Sequence, residues 1–412
     1  MYLSREEEKM LEGEYGLAVQ KAISLLVAIG DVNDAPRLIP VTSVHISGTS
    51  YKEARDAGVM FLEFMAQNKL RIPATTSSIG LDLNKWEKME FSEAYAKQQL
   101  RMVRAFEKME AISTHTCTPY LAGHVPTFGS HVAWSPSESI IAANSRFGAR
   151  TNRESDPSSL MAAMCGRTPL YGFHLTENRA GQVLVVLQAP CNTISDFGAL
   201  GYLIGREVGD QTPVLINMPE QLTLEQTKMM GAAMGTSGAI ALYHIVGHTP
   251  EAPTVEAAFQ NNKPTEKLEI EPSDIKAICE GLCSATSEKV DLVHTGCPHC
   301  SINELKEIAQ MLKGQKISDK TRFWITTSSA MKVIADRMGI TKIIEQTGAE
   351  ILEGTCLLTA PGETLEELGL KTIVTNSAKM AHYAPGHCNQ EAWFGSITQC
   401  VKAAITGKVQ WG

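Results

Sequence analysis

The chain has 412 residues, 43% of them hydrophobic, which is enough apolar material for two or three domains. A formal net charge of −8 with no dense Lys/Arg run argues against nucleic-acid and membrane-surface partners. No run of about 18 apolar residues occurs, and the start is acidic rather than signal-like; with ten cysteines, this predicts reduced thiols, metal ligation and a cytoplasmic location.

In chain order, Ser4 and Glu7 form a capping box, and helical pattern follows through Leu11 and again from Leu17 to Ile29. Residues 38–46 read as a strand ending in Ser47-Gly48-Thr49-Ser50. A helix over 51–67 comes next, then a strand over 70–74 that runs into Thr75-Thr76-Ser77-Ser78. Residues 84–110 are helical by composition. From 114 to 167 the texture turns to Ser, Thr, Pro, Gly, Asn and His, either a surface loop or a functional loop region.

Strand–helix alternation is clear from Val183 onward: strands over 183–187, 214–216 and 239–246, with helices from Ser195 and Thr223. A break over 250–272, with Asn261-Asn262-Lys263-Pro264, is the best boundary, and three regions are expected at 1–113, 114–262 and 263–412. Beyond it, strand–helix units begin near Leu292, Phe323, Ile351 and Thr372. Their strands end at Gly296-Cys297, Thr326-Thr327-Ser328-Ser329, Gly354-Thr355-Cys356 and Thr375-Asn376-Ser377-Ala378-Lys379. Ligands of open parallel sheets bind outside such carboxyl ends.

The most informative of these turns is Gly296-Cys297-Pro298-His299-Cys300-Ser301, between an apolar strand and a helix that Ser301 caps. Backbone N–H groups at such a turn favour thiolate. A redox dithiol would use Cys297 and Cys300. A zinc site would use Cys297, His299 and Cys300 and take Cys356 or Cys388 to complete it. Packing as small buried side chains is a third reading, and the one that suits Cys279 and Cys283, four apart on a helix. In a fourth, Cys117, Cys297 and Cys356 together hold a cubane iron–sulfur cluster with one iron lacking a thiolate, a Lewis acid for a hydroxy acid. Spacing leaves these readings open.

Several local motifs then occur in a telling order: His45-Ile46-Ser47-Gly48-Thr49-Ser50-Tyr51, Thr116-Cys117-Thr118-Pro119-Tyr120-Leu121, Glu138-Ser139, Asn144-Ser145, Gly148-Ala149-Arg150-Thr151-Asn152-Arg153-Glu154, Gly296-Cys297-Pro298-His299, Thr355-Cys356 and Lys379-Met380-Ala381-His382-Tyr383. Jointly they resemble the aconitase X family over nearly the whole chain. The resemblance implies an α/β fold of aconitase type, with several three-layer α/β/α domains, largely parallel sheets and an active site at strand carboxyl ends. It implies an iron–sulfur hydro-lyase with Cys117, Cys297 and Cys356 as ligands of a [4Fe-4S] cluster, isolable as [3Fe-4S]. Cys300 is then incidental and Cys388 a doubtful fourth.

In the two-chain branch the implied reaction is dehydration of (R)-5-phosphomevalonate to trans-anhydromevalonate 5-phosphate, in isoprenoid synthesis. The single-chain branch, which carries an extra fused domain, implies dehydration of cis-3-hydroxy-L-proline. Nothing in the chain looks like the swivelling domain that supplies the catalytic serine, so a small partner subunit is expected to bring it. Chemistry and resemblance together place the catalytic role on Glu138 and Ser139. They place substrate anions on Gly48, Thr49, Ser77, Ser78, Arg150, Arg153 and Lys379. The blander alternatives are a dipole-stabilised first-turn Glu138, ordinary turns at Gly48-Thr49, and structural ion pairs for the arginines.

Overall fold

The computed structural model describes residues 1–410. Three parallel sheets and one two-stranded antiparallel pairing organise the described residues. The first sheet sets Val44–Ile46 between Ala74–Thr76 and Ala133–Trp134. The second runs in the order His244–Ile245, Pro213–Ile216, Val183–Leu187, Glu266–Ile270. The third runs Glu350–Glu353, Arg322–Thr327, Leu292–Thr295, Thr372–Thr375, Glu391–Phe394. The inner strands of the third sheet are buried along their length, as parallel strands covered by helices must be. The α/β fold with largely parallel sheets is therefore present.

Local chemistry explains where the elements depart from the pattern in the sequence. The capping box at Ser4 and Glu7 closes the helix Arg5–Leu11, and Ser301 caps Ile302–Leu312. Residues 38–46 are two strands. Leu38–Pro40 pairs antiparallel with Arg167–Pro169, and only Val44–Ile46 joins the parallel sheet. The strand expected over 70–74 instead covers Ala74–Thr76, after Pro73, which has no N–H to give to a ladder. The helix expected over 84–110 is Glu93–Lys108, started by the Ser92 hydroxyl on the Tyr95 N–H.

Two departures concern organisation. Ala133–Trp134, from the loop-rich stretch, returns to the first sheet, past the break placed at 113. Glu266–Ile270, inside the stretch read as a break, pairs with Val183–Leu187 and extends the second sheet. Three of its five residues are exposed and only Ile270 is buried, as on an edge strand, which composition disguises as a linker.

What positions the site is the contact of the first and third sheets. The backbone of Ile79 bridges that of Thr355: the Ile79 N–H donates to the Gly354 carbonyl (2.9 Å) and the Cys356 N–H to the Ile79 carbonyl (2.8 Å). The Lys52 ammonium donates to the Leu358 carbonyl (2.9 Å) and the Ser50 hydroxyl to that of Thr359 (2.9 Å). The carboxyl-end loops of the two sheets are thereby held against each other. No helix among the described residues is long and apolar enough to cross a membrane.

Candidate active site

Those facing loops enclose a cavity of about 420 Å³. The first sheet contributes Ser47, Gly48 and Thr49, then Ser77 and Ser78, then Pro136 and Glu138, each set following one strand. The third contributes Cys297, Cys356 and Lys379 in the same way, and Cys117 enters from the loop before the 3-10 turn Pro119–Ala122. A larger cavity of about 570 Å³ lies elsewhere, lined by Cys279, Cys283 and Trp393; those two cysteines are half-buried and pack against the edge of the core.

Three thiols far apart in sequence thus face one space, and the loops that carry them are joined through His299. Its Nε2 donates to the Thr355 carbonyl (2.8 Å), which leaves Nδ1 to accept from the Thr116 hydroxyl (3.0 Å). Its backbone N–H donates to Cys117 Sγ (3.4 Å). With both ring nitrogens engaged and burial lowering its pKa to about 4, His299 is a neutral strut rather than a zinc ligand. Gly296 makes the turn possible: φ is +101°, and a Cβ there would lie 2.1 Å from the Thr326 carbonyl oxygen.

The electrostatics fit a metal group. Burial raises the Cys297 pKa to about 11, reinforced by Cys356 and opposed by Lys379. Burial also raises Cys117, again with Cys356 adding to it. Desolvation alone would make Lys379 lose its proton more easily, but Cys297, Cys117 and Cys356 reverse the effect and raise its pKa. Clustered thiols that resist ionising in a dry site are stabilised as thiolates by bound iron, and soft sulfur donors select iron–sulfur groups over hard cations. Among the described residues no three His, Cys, Asp or Glu side chains converge on a point, as ligands of a single ion would. The thiolates of a cluster bind separate irons and need no common point.

Glu138 sits in this cavity on the short helix Ser137–Ile141 and is almost fully buried. Burial lifts its pKa to about 7, against the Tyr120 hydrogen bond and the charges of Lys228, Lys379 and Arg146. The Tyr120 hydroxyl donates to Oε1 (2.6 Å), and Oε2 has no partner. Lys379 Nζ donates to the Ser137 hydroxyl (3.0 Å).

Some expected residues stand elsewhere. Arg150 donates to the His174 carbonyl (2.9 Å), while Arg153 is exposed and donates to that of Ala239 (2.9 Å). Neither lines the cavity: the backbone of Arg150 bridges that of His131, which precedes the strand Ala133–Trp134 and so lies away from its carboxyl end. The Ser139 hydroxyl donates to the Cys117 carbonyl (2.8 Å), so it steadies a cysteine loop instead of facing substrate. Thr49 lines the cavity, but its hydroxyl is committed to the Ser78 carbonyl (2.7 Å). Cys388 is fully buried, with its thiol donating to the Leu357 carbonyl (3.5 Å), behind the Cys356 loop.

Cys300 packs in the core of the third sheet and burial raises its pKa, which removes the dithiol reading. Cys300→Ser should keep full iron content and most of the activity, at a stability cost of about 1–2 kcal/mol for a hydroxyl in an apolar site. Iron assay and urea titration of the variant check this.

Sequence reasoning missed Glu53 and Asp156, which line the cavity, and Lys228, which holds the cysteine loop. Lys228, on the helix Leu224–Ser237, is fully buried and donates to Glu304 (2.5 Å) and to the His299 carbonyl (2.8 Å). A lysine heading the run Met229-Met230-Gly231-Ala232-Ala233 was the available signal, since a buried ammonium requires partners.

Parallel sheets turning their carboxyl ends onto a thiol-lined cavity are the architecture of a metal-dependent α/β enzyme. Family models for the first, second and third domains of aconitase X match residues 1–177, 181–280 and 290–406. The chain belongs to the aconitase X family. It is 43% identical to a phosphomevalonate dehydratase large subunit of Methanocaldococcus jannaschii, over 98% of this chain and 100% of that one. It is 32% identical to a cis-3-hydroxy-L-proline dehydratase of Hypocrea jecorina, over 98% of this chain but 69% of the other. A crystal structure of Thermococcus kodakaraensis aconitase X in its holo-form superposes with a TM-score of 0.89 at 39% identity, covering 98% of this chain and all of that one. Relatives in both branches are named dehydratases, and the chain is a hydro-lyase.

Proposed function

We propose that the chain is the large subunit of an enzyme that dehydrates (R)-5-phosphomevalonate to trans-anhydromevalonate 5-phosphate. The observation that carries the reading is the convergence of Cys117, Cys297, Cys356, Lys379 and Glu138 on one cavity. It is joined to end-to-end similarity with chains named for that activity. The hydroxyproline dehydratases extend well beyond the matched region and are less similar.

Cys117, Cys297 and Cys356 would hold an iron–sulfur cluster, [4Fe-4S] when complete, which supplies Lewis acidity at a corner without a thiolate. Lys379, the half-buried ammonium in the lining, pairs with an anionic group of the substrate. The backbone at Ser47-Gly48-Thr49 and the Ser77-Ser78 turn supply donors for a second anionic group. Gly48 is required there because at its φ of +71° a Cβ would strike the Asp156 side chain at 2.7 Å. Glu138, with a pKa near 7, is poised to give a proton to the departing hydroxyl. The base that takes the C2 proton belongs to a small partner subunit, which the relatives' designation as large subunits supports.

The test is anaerobic preparation with and without the co-expressed partner, followed by assay with (R)-5-phosphomevalonate and with cis-3-hydroxy-L-proline. The expected result is turnover of the first by the pair, and under about 1% of that rate by the chain alone, since loss of a proton-transfer group costs about 10²–10⁴-fold. Full-rate turnover by the single chain, or preference for hydroxyproline, would overturn the reading.

A further inference from the structure

Glu138 borders two spaces, and the second carries an inference. Besides the main cavity it lines a small void of about 10 Å³ on its other side, together with Tyr120, Arg146, Thr227, Lys228 and Tyr243. That is about the room one water needs, and a retained water also needs several polar partners. The void exists for a local reason. The helix that carries Glu138 continues as a π-helical turn over Ala142–Arg146, wider than an α-turn, and the small Ala142 side chain borders the space.

The buried Oε2 of Glu138 is left without a partner by every described side chain. A buried carboxyl oxygen in that state is costly, and a water is the common remedy. The far wall of the void approaches the surface: Arg146, Leu224 and Thr227 are all half-buried, and the Arg146 guanidinium donates to the Thr227 hydroxyl.

Resting on the dehydratase reading above, we propose that Glu138 is recharged from behind, by a water in this void that reaches bulk solvent past Arg146 and Thr227. In each turnover the Glu138 carboxyl proton moves to the substrate hydroxyl as the C–O bond breaks and water departs. The carboxylate left behind takes a proton from the void water, which recovers one from solvent. The C2 proton leaves separately through the partner's base, so the two exchanges balance.

The groups facing Glu138 suit this traffic. Tyr120 donates to Oε1, and Lys228 is committed to Glu304 and the His299 carbonyl. Arg146 and Lys379 favour the carboxylate, while burial opposes it. Cys117 and Tyr243 are further titratable groups that face it. Tyr120, Arg146 and Thr227 act here as positioning residues.

The test uses the complete two-subunit enzyme. Ala142→Val fills the void, and Thr227→Val removes the hydroxyl at its outer wall while keeping its volume. The expected result for both is a fall in kcat of ten-fold or more with KM and iron content unchanged. The infrared carboxyl band that Glu138→Gln abolishes should also exchange with D2O more slowly in Ala142→Val when substrate occupies the front. Wild-type kcat in both variants, or unaltered exchange in Ala142→Val, overturns the rear route. If Ala142→Val fails to fold, Thr227→Val decides by kcat. Failure of the unmodified complex to turn over phosphomevalonate would instead count against the dehydratase reading.

Discussion

Cys356→Ser is expected to bring iron to background and turnover to below about a thousandth of wild type, with the fold intact. Cys356 is the informative choice among the three thiols. It is half-buried, and its backbone, bridged to Ile79, sets the loop independently of the side chain. A serine hydroxyl at that position cannot replace a thiolate toward iron, because the soft sulfur donor is what selects the group. Cys388→Ser is the matched control, one layer behind and bonded to the Leu357 carbonyl, and it should keep its iron. Iron and sulfide analysis with visible absorbance, beside circular dichroism, measures both. Wild-type iron in Cys356→Ser would remove that thiol from the site and with it the three-cysteine arrangement.

Glu138→Gln should lower kcat by about 10²–10⁴-fold while leaving iron and KM near wild type, and it should remove a loss of stability with rising pH. Burial raises the Glu138 pKa from 4.5 to about 7, so the folded chain holds this proton more tightly than the unfolded chain. Below 4.5 both states are protonated and the group is neutral to stability. As pH climbs from there to about 7 the unfolded state gains by ionising and the fold loses, after which the deficit is constant. The full deficit is on the order of 3 kcal/mol. Gln keeps the shape and accepts the Tyr120 hydroxyl but cannot ionise, so the variant should be more stable than wild type at pH 8 and nearly equal at pH 4.5. Urea unfolding of the chain at the two pH values reads the difference. An equal offset at both would mean that Glu138 titrates normally.

The sequence by itself determined the strand–helix units of the third sheet, because buried parallel strands such as residues 323–327 and Thr372–Thr375 read as uninterrupted apolar or β-branched runs. It also carried the motif order that marks the family, and the three cysteines that share a cavity. Only the tertiary structure decided which polar residues face that cavity. Arg150 and Arg153 stand in the same motif stretch as Glu154, and nothing local to them tells that they donate to the His174 and Ala239 carbonyls instead. Ser139 neighbours Glu138, yet on a helix successive side chains point about 100° apart, which gives one the cavity and the other the Cys117 backbone. Lys228 and Tyr120 gain their roles only when the helix Leu224–Ser237 meets the cysteine loop and the 3-10 turn meets Glu138, contacts set by packing between distant segments. Periodicity reports which face of an element is buried, but the partner it is buried against is a property of the assembled sheets.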